Sequence, residues 1–258
     1  MASVKLARWY GSHGRHALAW RATRDRWAIL VSEAMLHQTQ VPRVAAVWPG
    51  FMARFPTPAA MAAESPGTVI AAWGRLGYPR RARRLWESAV VIARDGWPAD
   101  LASLPGIGRY TANAVLAQAE DADLPAIETN VRRVVERVRG ARLTPKGAEA
   151  AMVEIGAPLR GRDRLLALMD VGAMLCRPRD PLCAECPLRP QCATRGPLDG
   201  ETRHRQPGFE GSFRQRRGRV MAVLRDGPAR ADTLDREALD SLTRDGLATI
   251  TRGTAHLP

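Results

Sequence analysis

All four cysteines of the chain fall in one stretch, CRPRDPLCAECPLRPQC, as Cys176, Cys183, Cys186 and Cys192. Four thiols confined to one short loop can close around a single compact group, and the prolines between them stiffen the path. The C-x6-C-x2-C-x5-C spacing leaves no cysteine over. A zinc site with four cysteine ligands usually pairs two short knuckles, and here Cys183 and Cys186 alone make one. Two disulfides would require an oxidising compartment.

The text around this loop is helical. WAILVSEAMLHQ, RVAAVWPGFMARF, GTVIAAWGRLG, RARRLWESAVVIARDG, RYTANAVLAQAE and TNVRRVVERVRG space their apolar residues three and four apart and break at Pro or Gly. The stretch GPLDGETRHRQPGFEGS loses that period and reads as a linker. Beyond it come two further amphipathic helices and a short hairpin-like end, LATITRGTAHLP. At 258 residues the chain has room for two or three small lobes.

The formal charge is +13, almost wholly from arginine, since Lys5 and Lys146 are the only lysines. Such an imbalance points to an acidic polymer as partner, with arginine-rich composition as the neutral alternative. The N-terminal MASVKLARWYGSHGRHALAW has no signal-peptide core, and no apolar run reaches the roughly 18 residues that span a membrane. The chain is therefore expected in the cytoplasm, associated with the nucleoid, with no membrane contact.

LPGIGRYTANAV places Pro105, Gly106 and Gly108 immediately before a helix. Glycines let the backbone turn where a Cβ would clash, and Pro105 fixes φ on entry. The N–H groups around Arg109 can then converge on one anion, for which a DNA phosphate is suited. A plain helix-helix connector is the alternative.

The hairpin and the cysteine loop, with WRATRDRWAILVSEAMLHQTQV, GRLGYPRRARRL, ETNVRRVVERV and MDVGAMLC, resemble the helix-hairpin-helix DNA glycosylases of the endonuclease III superfamily over residues 20 to 195. The nearest branch is the adenine DNA glycosylase (MutY) branch. The resemblance implies an all-α, two-lobed fold that flips a target base into a cleft. It places a six-helix lobe with the hairpin at 27–123 and a cluster lobe at 1–26 and 124–195. A linker at 196–211 and a small winged-helix-like module at 212–258 follow. It also implies a 4Fe-4S cluster on Cys176, Cys183, Cys186 and Cys192, and a monomer acting on double-stranded DNA with a mismatch or oxidised base.

Glu33 lies among Ile29, Leu30, Val31, Met35 and Leu36, where burial would raise a carboxyl's pKa toward that of a general acid. In the family the matching glutamate protonates N7 of adenine and then helps to activate water. Glu128 stands where the family generally has an aspartate that stabilises the sugar cation. Its extra methylene threatens that placement, and Glu caps a helix less well than Asp. Thr129 is the substitute cap. Tyr110 occupies the position at which bifunctional relatives carry a nucleophilic lysine, which implies a monofunctional enzyme without efficient strand cleavage, Tyr110 lining the base pocket.

Gln38 and Tyr78 match residues that wedge into the base stack. Arg21, Thr39, Pro105, Gly106, Gly108, Arg109 and Asn130 complete the DNA-contact set implied by the resemblance. Arg80, Arg81, Arg83 and Arg84 are phosphate contacts or a solvated face, and His37 has no assigned role. Leu166 stands where relatives often carry a polar side chain facing the adenine. The tail is too short for the larger domain that in many relatives reads 8-oxoguanine. The expected activity is removal of adenine opposite 8-oxoguanine or guanine in base excision repair. A uracil or thymine mismatch glycosylase and a catalytically weak lesion-binding protein are the alternatives.

Overall fold

Three helix starts are written in the sequence as a hydroxyl residue followed by proline. In the computed structural model, which describes residues 2–201 and 208–258, Thr57, Ser65 and Thr144 each accept a hydrogen bond from the amide three residues on. Pro58, Pro66 and Pro145 follow them in the first helical turn, where a missing N–H has no helical partner to lose. The helices are α1 (Ala2–His13), α2 (Arg26–Leu36), α3 (Val41–Arg54), α4 (Pro58–Ala62), α5 (Pro66–Trp73) and α6 (Arg80–Asp95). They continue as α7 (Arg109–Glu120), α8 (Thr129–Arg139), α9 (Pro145–Gly156), α10 (Gly161–Asp170), α11 (Phe213–Asp226) and α12 (Arg236–Arg244). Strands β1 (Ala229–Arg230), β2 (Thr249–Thr251) and β3 (Thr254–His256) form an antiparallel sheet in the order β1-β3-β2. The fold is thus helical, as its periodicity requires, and the C-terminal text expected to be hairpin-like is the β2-β3 hairpin. Residues 202–207 of the expected linker lie outside the described residues.

The chain divides into two compact units, Met1–Leu30 with Ile107–His204 and Val31–Gly106 with Arg205–Pro258. In the first, α7, α8, α9 and α10 bury Val131, Val134, Val135, Met152, Ile155, Leu165 and Leu168, with Leu6 and Tyr10 of α1 against them. Helix α10 buries Arg162 and Arg164 where periodicity alone would look for apolar residues. Arg162 donates to the carbonyls of Arg21, Thr23 and Gln118, and Arg164 pairs with Asp123. At the end of α10 the fully buried Asp170 accepts from Arg15 at 2.6 Å and from a forked Arg21 at 2.7 and 2.8 Å. Arg21, expected to contact DNA, is instead committed to this pair, its side chain 5% exposed.

In the second unit Phe51, Phe55 and Trp73 pack edge to face, with Val44, Ile70, Leu85 and Ile92 completing the core. The C-terminal segment belongs to this unit. Asp245, just after α12, binds Arg80 of α6 and Arg217 of α11, and its carbonyl accepts from Arg83 at 2.9 Å. Gly67 N donates to Pro258 O at 2.5 Å, and a Cβ at Gly67 would fall 2.2 Å from that oxygen. Arg80 and Arg83 therefore hold the C-terminal segment, a role beyond the phosphate contacts or solvated face that the sequence offered for this helix.

Burial alone would raise the Asp170 carboxyl, but Arg21 and then Arg15 hold it below the ordinary 3.8. A carboxyl depressed on folding stabilises the folded state above its unfolded pKa and loses that contribution as pH falls through the folded value. Asp170→Asn is expected to cost on the order of 3 kcal/mol at pH 7, with the gap to the parent closing below about pH 3.8. Urea denaturation of both proteins across this range measures it; a gap independent of pH would contradict the assignment.

Candidate functional site

Helix α2 is held at its start by Asp25, whose Oδ1 accepts from Ala28 N at 2.7 Å. It buries Trp27, Ile29, Leu30, Val31, Ser32 and Met35, and Glu33 among them is 7% exposed. The helix stops at Leu36, and the chain leaves it through Gln38, an exposed residue at φ 59°.

A second left-handed residue, Tyr78 at φ 47°, follows Gly77 at φ 82° before α6 and is 42% exposed. A left-handed side-chain-bearing residue costs on the order of 1–3 kcal/mol and persists where its surroundings over-determine it. Here the surroundings are Arg81. Its Nη1 donates to the carbonyls of Ala34, Met35 and His37 at 2.7, 2.9 and 2.5 Å. Its Nη2 donates to Thr39 Oγ1 at 2.9 Å and Gly77 O at 3.0 Å. The guanidinium lies 5.3 Å from the Trp73 ring centroid and 5.5 Å from that of Tyr78. Burial pulls its pKa down to about 10, still cationic at neutral pH. Arg81 is thus neither a phosphate contact nor a solvated residue, and Thr39 is one of its acceptors. Arg84, 61% exposed at its side chain, keeps a solvated head beside Glu87.

The hairpin glycines differ from the expectation in an instructive way. Gly106 needs its φ of 76°, and a Cβ there would meet Arg84 Cβ at 2.8 Å; Ser88 Oγ holds the turn by donating to Pro105 O at 2.9 Å. Gly108 has φ −94° and ψ 171°, extended backbone open to any residue, and nothing lies within 4 Å of its would-be Cβ. No internal clash explains Gly108. Arg109, its side chain 73% exposed, pairs loosely with Glu149 at 3.1 Å. Tyr110 is half-buried and packs on the apolar core of the first unit, and Asn113 Nδ2 anchors the same helix on Pro125 O at 2.7 Å.

Glu128 is itself the cap of α8, so Thr129 does not replace it. Its Oε2 accepts from Asn130 N at 2.7 Å and Asn130 Nδ2 at 3.0 Å, and its Oε1 from Val131 N at 2.8 Å. Burial pushes the carboxyl above its ordinary range, with these N–H donors and the nearby Arg133 pulling the other way. Asn130 in turn accepts from Arg133 at 2.7 Å, so its amide orients the carboxylate's surroundings. Leu166 is buried in the apolar core.

The end of α10 continues as a π-helical turn, Val171–Leu175, that delivers Cys176. Cys176, Cys183, Cys186 and Cys192 line one pocket with Val134, Val138, Leu175 and Leu188, and none is in a disulfide. Burial pushes the Cys186 thiol up to about 11. Arg137, 1% exposed, donates from Nη1 toward Cys176 Sγ at 3.5 Å and to Arg177 O at 2.8 Å, and forks onto Glu201 at 2.6 and 2.7 Å. Arg133 donates to Cys176 O at 2.6 Å. Among the described residues no three His, Cys, Asp or Glu side chains are arranged to hold a single metal ion. The four thiols thus share one pocket with a buried arginine beside Cys176. Sequence reasoning missed Arg133 and Arg137; their spacing of four on α8, beside Val134 and Val138, was the available signal.

Residues 31–158 match the family described as HhH-GPD superfamily base excision DNA repair protein. The chain is 43% identical to the adenine DNA glycosylase of Mycolicibacterium smegmatis over 96% of this chain and 92% of that one. It is 41% identical to the adenine DNA glycosylase of Mycobacterium tuberculosis over 97% and 91%. The solved structure of a thermostable thymine-DNA glycosylase superposes with a TM-score of 0.66 at 26% identity, covering 75% of this chain and 94% of that one.

The two hairpin glycines should separate on substitution. Gly106→Ala combines a positive φ with a backbone-proximal clash and should lower the melting temperature, by about 1–3 kcal/mol in stability. Gly108→Ala should leave it unchanged or raise it slightly, by about 0.4–1 kcal/mol. Calorimetry on both variants checks this; equal losses would contradict the backbone assignment.

Proposed function

We propose that this chain, which belongs to the HhH-GPD superfamily of base excision DNA repair proteins and within it to the adenine DNA glycosylases, releases adenine paired with 8-oxoguanine or guanine. The near full-length identity to adenine DNA glycosylases carries the reading, and the buried carboxyl of Glu33 supports the chemistry. Glu33 gives its proton to N7 of the extruded adenine. The bond between C1′ and N9 then breaks with its electron pair leaving on the base. Positive charge develops on C1′ and the ring oxygen, and the Glu128 carboxylate, fixed by three N–H donors, stabilises it. Water adds its oxygen to C1′ and returns a proton to Glu33. Tyr110 lines the base pocket and offers no amine for a Schiff base, so the product is an abasic site in an intact strand.

Pro105, Gly106, Gly108 and Arg109 form the phosphate-binding turn, with Gly108 kept small by the approach of the phosphate from outside. Gln38 and Tyr78 enter the base stack as adenine leaves it. Cys176, Cys183, Cys186 and Cys192 would hold a 4Fe-4S cluster, which when bound cross-links the loop as one structural unit. Arg137 and Arg133 would offset its negative charge. The C-terminal segment, with α11, β1, α12 and the β2-β3 hairpin, is a winged-helix-like module.

Glu33→Gln should abolish base release in single-turnover assays while leaving duplex affinity nearly intact, since that affinity rests on phosphate contacts. Adenine release at the parental rate would overturn the assignment. The assay panel includes adenine opposite 8-oxoguanine and guanine, and thymine and uracil opposite guanine; faster release of a pyrimidine would replace the adenine reading. Gly108→Ala, stable as argued above, should weaken duplex binding. Anaerobically purified protein should carry four irons and absorb in the visible, and zinc without iron would remove the cluster.

A further inference from the structure

We infer that Arg81 is a positioning residue for base extrusion: its guanidinium clamps the loop carrying Gln38 to the loop carrying Tyr78, so that both side chains enter the duplex at a fixed mutual spacing. The inference rests on the assignment of Gln38 and Tyr78 as the residues that enter the base stack. Both are exposed, both have left-handed backbones, and they leave two different helices, the end of α2 and the approach to α6. The side chain that makes most of the contacts between them is Arg81. Arg81 Nη1 gathers the carbonyls of Ala34, Met35 and His37, the last turn of α2 and the residue before Gln38. Arg81 Nη2 takes Thr39 Oγ1, the residue after Gln38, and Gly77 O, the residue before Tyr78. Arg81 N donates to Tyr78 O at 2.9 Å, closing the second loop on the same residue.

Two smaller contacts run in the same direction. Thr39 Oγ1 donates to Leu76 O at 3.3 Å, and Trp73 Nε1 donates to Gly77 O at 3.0 Å. The planar fork is what makes the arrangement possible. Its two terminal nitrogens face the two loops at once, whereas a lysine ammonium is a single point that can satisfy one of them. The guanidinium also lies over the Trp73 and Tyr78 rings, 5.3 and 5.5 Å from their centroids, which favours the cation at this place. Arg81→Lys keeps the charge and releases the clamp, letting each left-handed residue relax independently.

The test is base unstacking, read with 2-aminopurine placed beside the target adenine in full-length protein complexes. In Arg81→Lys the fluorescence rise and the single-turnover rate on a duplex with the target adenine opposite 8-oxoguanine should fall by about 10- to 100-fold, with duplex affinity unchanged. On a duplex whose target adenine faces an abasic analogue, and so is unpaired and costs less to extrude, the variant should recover most of the lost rate. Equal loss on both duplexes would overturn the proposal, since Arg81 would then act on the fold or on α2 alone. If Gln38→Ala and Tyr78→Ala leave unstacking unaltered in the parent, the stack-entry assignment fails, and the clamp falls with it for that separate reason. Should Arg81→Lys not fold, hydrogen exchange of the parent decides. One shared opening for amides 37–40 and 76–78 supports the clamp, and two independent openings overturn it.

Discussion

A guanidinium taken out of water must find acceptors for its N–H groups, and this fold satisfies that constraint by ending helices and loops on arginines. Leaving a buried charge unpaired costs several kcal/mol, so each such arginine dictates where carbonyls and carboxylates must lie. Arg162 gathers three carbonyls at the foot of α10, and Arg21 forks onto Asp170. Arg137 ties Cys176 and Arg177 to Glu201, and Arg81 ties the end of α2 to the approach to α6. Apolar packing supplies the cores of the two units, but these arginines set the conformations of the loops that bear chemistry.

This division of labour changes the meaning of the charge. A net +13 looks like a surface built for a polyanion. Part of the arginine content is interior, and Arg80, Arg83 and Arg217 serve to fix the C-terminal segment through Asp245. Arg109 at the hairpin is among those left exposed. In the proposed reading, affinity for DNA depends on where the remaining charge sits, beside backbone N–H groups at the start of α7, rather than on its total.

The candidate catalytic carboxylates are both buried, but they are held differently. Glu33 is enclosed on a helix of apolar neighbours, while Glu128 is turned back onto the N-terminus of its own helix and held by N–H donors. Those donors favour the charged form of Glu128, but burial outweighs them and leaves its carboxyl raised. The longer side chain at 128 is accommodated because a glutamate can curl to reach the same amides that a shorter carboxylate would reach.

The helices α2, α3, α5, α6, α7 and α8 were legible because their periodicity records which face is buried, and the cysteine spacing and the LPGIG turn carried the family resemblance in plain text. Helix α10 was not, because Arg162 and Arg164 interrupt its stripe, and their acceptors come from residues more than 35 positions away. The same reason hid the role of Arg81, whose acceptors lie about 40 positions upstream as well as beside it. The sequence alone determined most of the helices, the hairpin turn and the thiol set, and singled out Glu33 and Glu128 as candidates, since these depend on local geometry and on residue chemistry. Which arginines face water and which lock the interior was decided by the tertiary structure, because a charged side chain's environment is made by whatever the fold brings to it.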